Sequence, residues 1–319
     1  MHAKFFSGND GDFLFWMPTA DDVVLVGPEQ RPVSLPQQPI PVYSCAIQND
    51  MRPDDNTLGA GVFEYLRRYP DCAEGYYLAD LLRNAYPHYL ADIASQVIMI
   101  EEKEVDAPFI RRKITGLKIL SLLEEQPQIY YQLGRSYFDF ATMFAELPRC
   151  RHHLLAGREY LQRSLSLDAT NPAALNLLAQ IEAWFGMYNE ASSLWQKAAS
   201  LVAEPTRSAL LQRVEDFLLS EQESPLIDDL EALGETLIQI GAGDVTSALT
   251  TLERLNIDGR VIAELPTPEF NYLLGHCRHE CSDPHGALVA YLAALAIDPE
   301  FLPARTAIER LSHGQVANV

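Results

Sequence analysis

Residues 268–300 read PEFNYLLGHCRHECSDPHGALVAYLAALAIDPE, and their spacing decides how this chain folds. Leu274-Gly275 is followed by Ala287, Tyr291, Ala294 and Pro299 at steps of 13, 4, 3 and 5 residues. Residues 172–204, PAALNLLAQIEAWFGMYNEASSLWQKAASLVAE, repeat those steps with Leu178-Ala179, Ala191, Trp195, Ala198 and Ala203. A small residue after the leucine lets two antiparallel helices approach closely. The second helix then offers small, large and small side chains at i, i+4 and i+7 to fill the seam. Between the helices, Gly186 and Tyr188 supply a permissive backbone and an aromatic plug. In the later copy Asp283 is placed to cap the second helix, with Pro284 at its first position.

Two weaker copies follow the same logic. Leu133-Gly134 and Tyr137 open one, whose second helix carries Gly157, Leu161 and Ser164; an insertion of about 11 residues around MFAELPRCRHH lengthens its first helix or its turn. Leu233-Gly234, Ala248, Leu252 and Leu255 form the other, stretched at GAGD. These segments resemble tetratricopeptide repeats over residues 127–319, and residues 56–126 only as degenerate helical hairpins. Thr206–Leu219 is a helix left over between two hairpins, and the last helix, PARTAIERLSHG, serves as a cap. The expected fold class is therefore all-α, a tetratricopeptide-like α-solenoid of stacked helical hairpins.

Residues 1–55 differ. DFLFWMP, DDVVLVG and PVYSCAI are short β-prone runs separated by Gly and by the Pro-rich stretch Pro28–Pro41, predicting two to four strands or extended segments laid against the helices. From Asn56 apolar residues recur at helical spacing, with breaks at Pro70, Pro87 and Pro108. The expected organisation is 1–55, 56–126 and 127–319.

Forty-four acidic against 24 basic residues give a formal charge of −20, which disfavours nucleic acid and anionic lipid. Arg67-Arg68 and Arg111-Arg112-Lys113 are short, isolated basic runs that read as solvated helix faces. Five cysteines, an odd number, fit a reducing compartment. The start, MHAKFFSGNDGDFLFWMP, lacks an apolar stretch of signal-peptide length because Ser7–Asp12 is polar, and no run reaches membrane-spanning length. The expected setting is the cytoplasm.

His276-Cys277-Arg278-His279-Glu280-Cys281 is the densest group of potential metal ligands. Cys277 and Cys281 share one helical face and His276 and His279 an adjacent one, so the four do not converge on one tetrahedral ion. The preferred reading puts the cysteines in the packing seam and the histidines on the inner face; a metal-dependent protein using this cluster is the alternative. Cys150-Arg151-His152-His153 is the other Cys/His group, more than 100 residues away. Gly241-Ala242-Gly243-Asp244 reads as a helix end followed by an N-cap, not as a phosphate loop. No catalytic constellation stands out and no cofactor is expected, so the chain reads as non-enzymatic.

The resemblance implies a concave surface formed by the first helix of each pair, which takes an extended or helical peptide. Its positions fall on Tyr131, Arg135, Phe138 and Asp139, on Asn176, Gln180, Ala183 and Trp184, and on Glu269, Tyr272, His276, His279 and Glu280. Family members that clamp a chaperone's C-terminal carboxylate do so with Lys, Asn and Arg; Tyr131, Asn176 and Tyr272 stand where clamp cations are expected, which speaks against that ligand. Asp228, Glu231 and Glu235 make the groove acidic, which predicts a neutral-to-basic protein or peptide partner. The expected role is an interaction scaffold, with a chaperone or adaptor for an assembled or secreted substrate as the related alternative.

Overall fold

The computed structural model describes residues 4–7, 11–47, 52–101, 106–219 and 224–316; part of the polar segment near the start of the chain, residues 8–10, lies outside the described residues. The chain divides into two compact units, Met1–Ser136 and Tyr137–Val319.

The first unit holds five strands among the described residues: β1 (Lys4–Ser7), β2 (Phe13–Met17), β3 (Val23–Val26), β4 (Arg31–Ser34) and β5 (Ile40–Tyr43). That is one more than the sequence predicts. Antiparallel pairing runs β1–β2–β5, from Lys4 opposite Met17 and from Phe13 opposite Tyr43, while β3 and β4 form a separate hairpin. Its first strand lies in the DDVVLVG run, and its second, β4, arises inside the Pro-rich separator. Gly27 and Gln30 adopt left-handed backbone, and the Gln30 N–H donates to the Gly27 carbonyl at 3.1 Å. Pro32 then sits on a two-stranded edge, where a missing N–H is tolerated.

Phe13, Trp16, Ile40 and Val42 are buried, and α1 (Asp55–Arg68) lies across β5. Gly61 makes that approach feasible, since a Cβ there would stand 2.8 Å from Val42 Cα. Asp54 caps α1 by accepting from Thr57 N–H at 2.8 Å. Three further helices follow, α2 (Gly75–Ala85), α3 (Pro87–Glu101) and α4 (Ala107–Ser121). Pro70 lies in the first connection, Pro87 opens α3 and Pro108 lies in the first turn of α4, so each predicted break coincides with a helix boundary. Helix α5 (Pro127–Thr142) starts in this unit and ends in the second.

The second unit stacks helical hairpins. After a 3-10 turn (Phe144–Arg149) come α6 (Cys150–Leu167), α7 (Pro172–Trp184), α8 (Tyr188–Ser200), α9 (Thr206–Leu219), α10 (Leu226–Gly241), α11 (Val245–Asp258), the short α12 (Arg260–Glu264), α13 (Pro268–Glu280), α14 (Pro284–Ile297) and α15 (Leu302–Val316). The hairpins α7/α8 and α13/α14 follow the spacing that predicts them. Asn171 caps α7 through Ala173 and Ala174 N–H, Gly186 turns the chain with φ +80°, and Trp195 is buried among Ala179, Ala183, Ala191 and Val214. Asp283 caps α14 by accepting from Gly286 N–H at 2.9 Å, and Ala287, Tyr291 and Ala294 form the seam with Ala304. The fold class is thus all-α, a solenoid-type stack of hairpins with a small N-terminal strand segment.

Stacking in the second unit is not strictly neighbour on neighbour. The insertion around residues 143–153 forms the 3-10 turn and the start of α6, and it docks on α10. A Cβ on Gly234 would lie 2.7 Å from the backbone of Leu147 and Pro148, so the small residue of this weaker repeat admits the insertion. Arg151 fixes the contact with bonds to Glu231 at 2.7 Å and Asp228 at 2.8 Å. Gly243, at φ +85°, and Asp244, which accepts from Ser247 N–H at 3.2 Å, form the turn into α11 at GAGD.

Candidate functional site

Helix α13 carries the best-presented part of the expected groove. Its inner side is fixed by Phe270, Leu274, Gly275 and Cys277, all buried. Gly275 lies under the Tyr291 ring, where a Cβ would meet Cδ1 and Cε1 at 2.6 Å. Arg278 ties the helix to α11 through paired bonds to Glu253 at 2.8 and 2.9 Å. These contacts set the rotation of α13 and leave Tyr272, His276 and His279 on another side. Tyr272 and His276 are half-buried, with rings 6.4 Å apart and only 12° from parallel, and His279 is exposed beside Glu280 at 3.8 Å. Tyr272 is backed by Tyr291 and Phe301, at 5.8 and 5.9 Å between ring centroids. An aromatic ring with a firm apolar base and polar neighbours suits recognition of a peptide.

The positions on α7 have partners within the chain. Trp184 is 2% exposed, and its indole N–H donates to Glu264 at 3.1 Å. Gln180 donates to the same carboxylate at 2.7 Å, and Arg213 from α9 completes the set at 2.9 Å. Asn176 is exposed, but its amide oxygen accepts the Trp195 indole N–H at 3.0 Å. The half-buried Phe138 ring lies 5.1 Å from Trp184. Helix α12 thus supplies, through Glu264, the acceptor for the Gln180 and Trp184 donors of α7. Glu264 and Arg213 escape sequence reading because the residues they join are 51 to 84 positions apart.

Tyr131, half-buried, and Arg135, exposed, belong to the first unit. Of the three carboxylates read as an acidic groove, Asp228 and Glu231 are engaged by Arg151, while Glu235 is exposed. A buried carboxylate not singled out from the sequence, Asp229, lies between Arg254 at 2.9 Å and Arg260 at 2.6 Å and holds α10, α11 and α12 together.

The His276–Cys281 group divides differently from the expectation. Cys277 is fully buried, and burial pushes its thiol up to about 11, so it packs as a small apolar group. Cys281 is exposed rather than in the seam, because α13 ends at Glu280 and the following residue turns away toward left-handed Ser282. All five cysteines are free thiols. Among the described residues no three His, Cys, Asp or Glu side chains are grouped to hold a metal ion, and no helix is long and apolar enough to cross a membrane.

No family model matches the chain, and none of the curated proteins matches it. Among solved structures it is similar to a chain in the crystal structure of the APC/C hetero-tetramer Cut9-Hcn1, at 15% identity and a TM-score of 0.26 over 78% of this chain. The match spans 58% of that chain's length.

Proposed function

We propose that the chain is a non-enzymatic interaction scaffold that holds a neutral-to-basic protein segment against the Tyr272, His276 and His279 face of α13, with Phe138 and Asn176 as further contacts and Arg135 of the first unit as a separate one. The observation that carries this reading is the near-parallel Tyr272–His276 pair, half-exposed on a helix whose opposite side is buried through Phe270, Leu274 and Cys277. A helix held this firmly offers its outer side chains at little ordering cost, which favours binding. Gln180 and Trp184 fix α7 to Glu264. Exposed Glu235 and Glu280 and the formal charge of −20 favour a partner without net negative charge and speed its association at low salt.

Affinity capture from the source cell's extract at low and at high salt, with wild type and Tyr272→Ala side by side, tests the reading. A partner retained at low salt, weakened at high salt and lost with Tyr272→Ala is the expected result. A partner set unchanged by both salt and substitution overturns it.

A further inference from the structure

Helix α14 buries one side and exposes the other, and both sides are apolar. Its sequence, PHGALVAYLAALAI, holds no Asp, Glu, Lys or Arg. Ala287, Tyr291 and Ala294 form the seam with α13 and α15. Leu288, Val289, Leu292 and Ile297 remain 37 to 53% exposed, with exposed Ala293 and Ala296 between them. At 3.6 residues per turn these six positions spread over about half of the helix circumference. A helix apolar all round is ordinarily enclosed, and repeats near the end of a solenoid ordinarily turn polar residues outward.

The other hairpins differ at the same positions. Counted from the buried alanine of each seam, Ala191, Ala248 or Ala287, the residues two, five, six and nine places on can be compared directly. They are Ser193, Gln196, Lys197 and Ser200 in α8, and Thr250, Glu253, Arg254 and Ile257 in α11. In α14 they are Val289, Leu292, Ala293 and Ala296. The apolar face therefore belongs to α14 and not to the repeat as such. Within residues 1–319, each run outside the described residues is four residues or shorter and spans at most about 14 Å, against about 21 Å for α14. None of those runs is long enough to cover the face.

We propose that this face is covered by α14 of a second copy of the chain, packed antiparallel about a two-fold axis between Leu292 and Ala293. The face is self-complementary in that register. Leu292 lies opposite Ala293 of the second copy, Val289 opposite Ala296, and Leu288 opposite Ile297. Each large side chain near the axis thus has a small one to fill, and the two-fold repeats every contact. At the ends, exposed His285 lies opposite Glu300, whose side chain is 85% exposed and shared with Arg305 at 2.8 Å. An imidazole N–H there finds a carboxylate acceptor. Each copy has a formal charge of −20, and contact through a helix without acidic side chains keeps like charges out of the interface. Two helices of this length bury less than about 1,200 Å² in total, the low end for specific interfaces, so the dimer is weak and concentration-dependent.

Sedimentation equilibrium of the full chain from about 1 µM to about 500 µM tests this, and a rise of the average mass from monomer toward dimer is expected. Leu292→Gln/Ala293→Lys gives α14 the residues that α8 carries at those positions and alters exposed sites alone. It should lower the association constant by about tenfold or more. Ala293→Cys, next to the axis, should give a disulfide-linked dimer on oxidation with diamide in a chain whose exposed Cys45 and Cys281 are replaced by serine. Ser193→Cys on α8, in the same background, should not. A chain that stays monomeric throughout, a dimer of unchanged strength in the double variant, or equal cross-linking at 293 and 193 overturns the proposal. If a monomeric chain retains a different protein that the double variant loses, the face serves that protein and the proposal falls as well.

Discussion

Gly275 and Tyr291 are in direct contact across the α13/α14 seam: the Tyr291 ring occupies the space where any Cβ at position 275 would project, with Cδ1 and Cε1 2.6 Å away. The Ala287 carbonyl, 3.1 Å from the same point, and the Tyr272 and Phe301 rings nearby leave the tyrosine little room to retreat. Gly275→Ala gains helix propensity of about 1 kcal/mol but overpacks the seam at a cost of about 1–3 kcal/mol, so a net loss of stability is expected. Urea unfolding measures it, and Gly275→Ala/Tyr291→Leu should lose less than the sum of the single changes. Gly241→Ala is the control, because nothing stands within 4 Å of a Cβ there. Equal effects at 241 and 275 would contradict the seam.

Glu264 binds three donors from two helices, Gln180 and Trp184 of α7 and Arg213 of α9. Its side chain is 27% exposed, which moderates the strength of each bond. Glu264→Ala is expected to cost about 1–3 kcal/mol and to alter the emission of Trp184, whose indole N–H loses its acceptor. Glu264→Gln, which keeps an acceptor oxygen, should lie between. Denaturant unfolding followed by tryptophan fluorescence decides, and a change below about 0.5 kcal/mol in both variants would show that the network adds nothing.

What the sequence reveals and what it conceals divide by contact distance along the chain. The α7/α8 and α13/α14 hairpins are legible because each seam joins residues a fixed 13 positions apart, and capping by Asn171 and Asp283 is local as well. Docking of the 3-10 turn on Gly234 and the Arg151–Glu231 pair depend on contacts 80 to 87 positions apart. Neither periodicity nor motif encodes those. The positions on α7 show the same limit: helical spacing places Gln180 and Trp184 on one side of the helix, but only folding brings Glu264 over them.

Asp229 is the second structural carboxylate open to test. Its side chain is 4% exposed between Arg254 and Arg260, and Arg260 also reaches the Ser224 carbonyl at 2.7 Å. Removing one member of a buried charged pair leaves the others desolvated, which costs about 3–5 kcal/mol when all are enclosed. Arg254 is 54% exposed and rehydrates, so Asp229→Asn is expected to lose about 2–3 kcal/mol. Thermal unfolding checks the loss, and Asp229→Asn/Arg254→Gln should be less destabilised than the two single changes added together.

His153 gives the protein a pH dependence of defined sign. It is 8% exposed on α6, packed on Phe140 and near Tyr137 and His152, and neither ring nitrogen makes a hydrogen bond. Burial lowers its pKa below the ordinary 6.5; Glu146, 3.5 Å from Nε2, pulls upward, while His152 and Arg149 push downward with the burial. Between the lowered value and 6.5 the unfolded chain binds a proton that the folded chain does not. The stability linked to His153 is therefore complete above about pH 6.5 and drains as pH falls through that window. His153→Phe fills the same aromatic pocket without a titrating group, so the gap between its melting temperature and that of wild type should shift in the variant's favour from pH 7.5 to pH 5.5. Carboxylates elsewhere titrate in both proteins and cancel in the difference. Parallel melting curves across that range would mean that His153 takes up its proton in the folded state as readily as in the unfolded one.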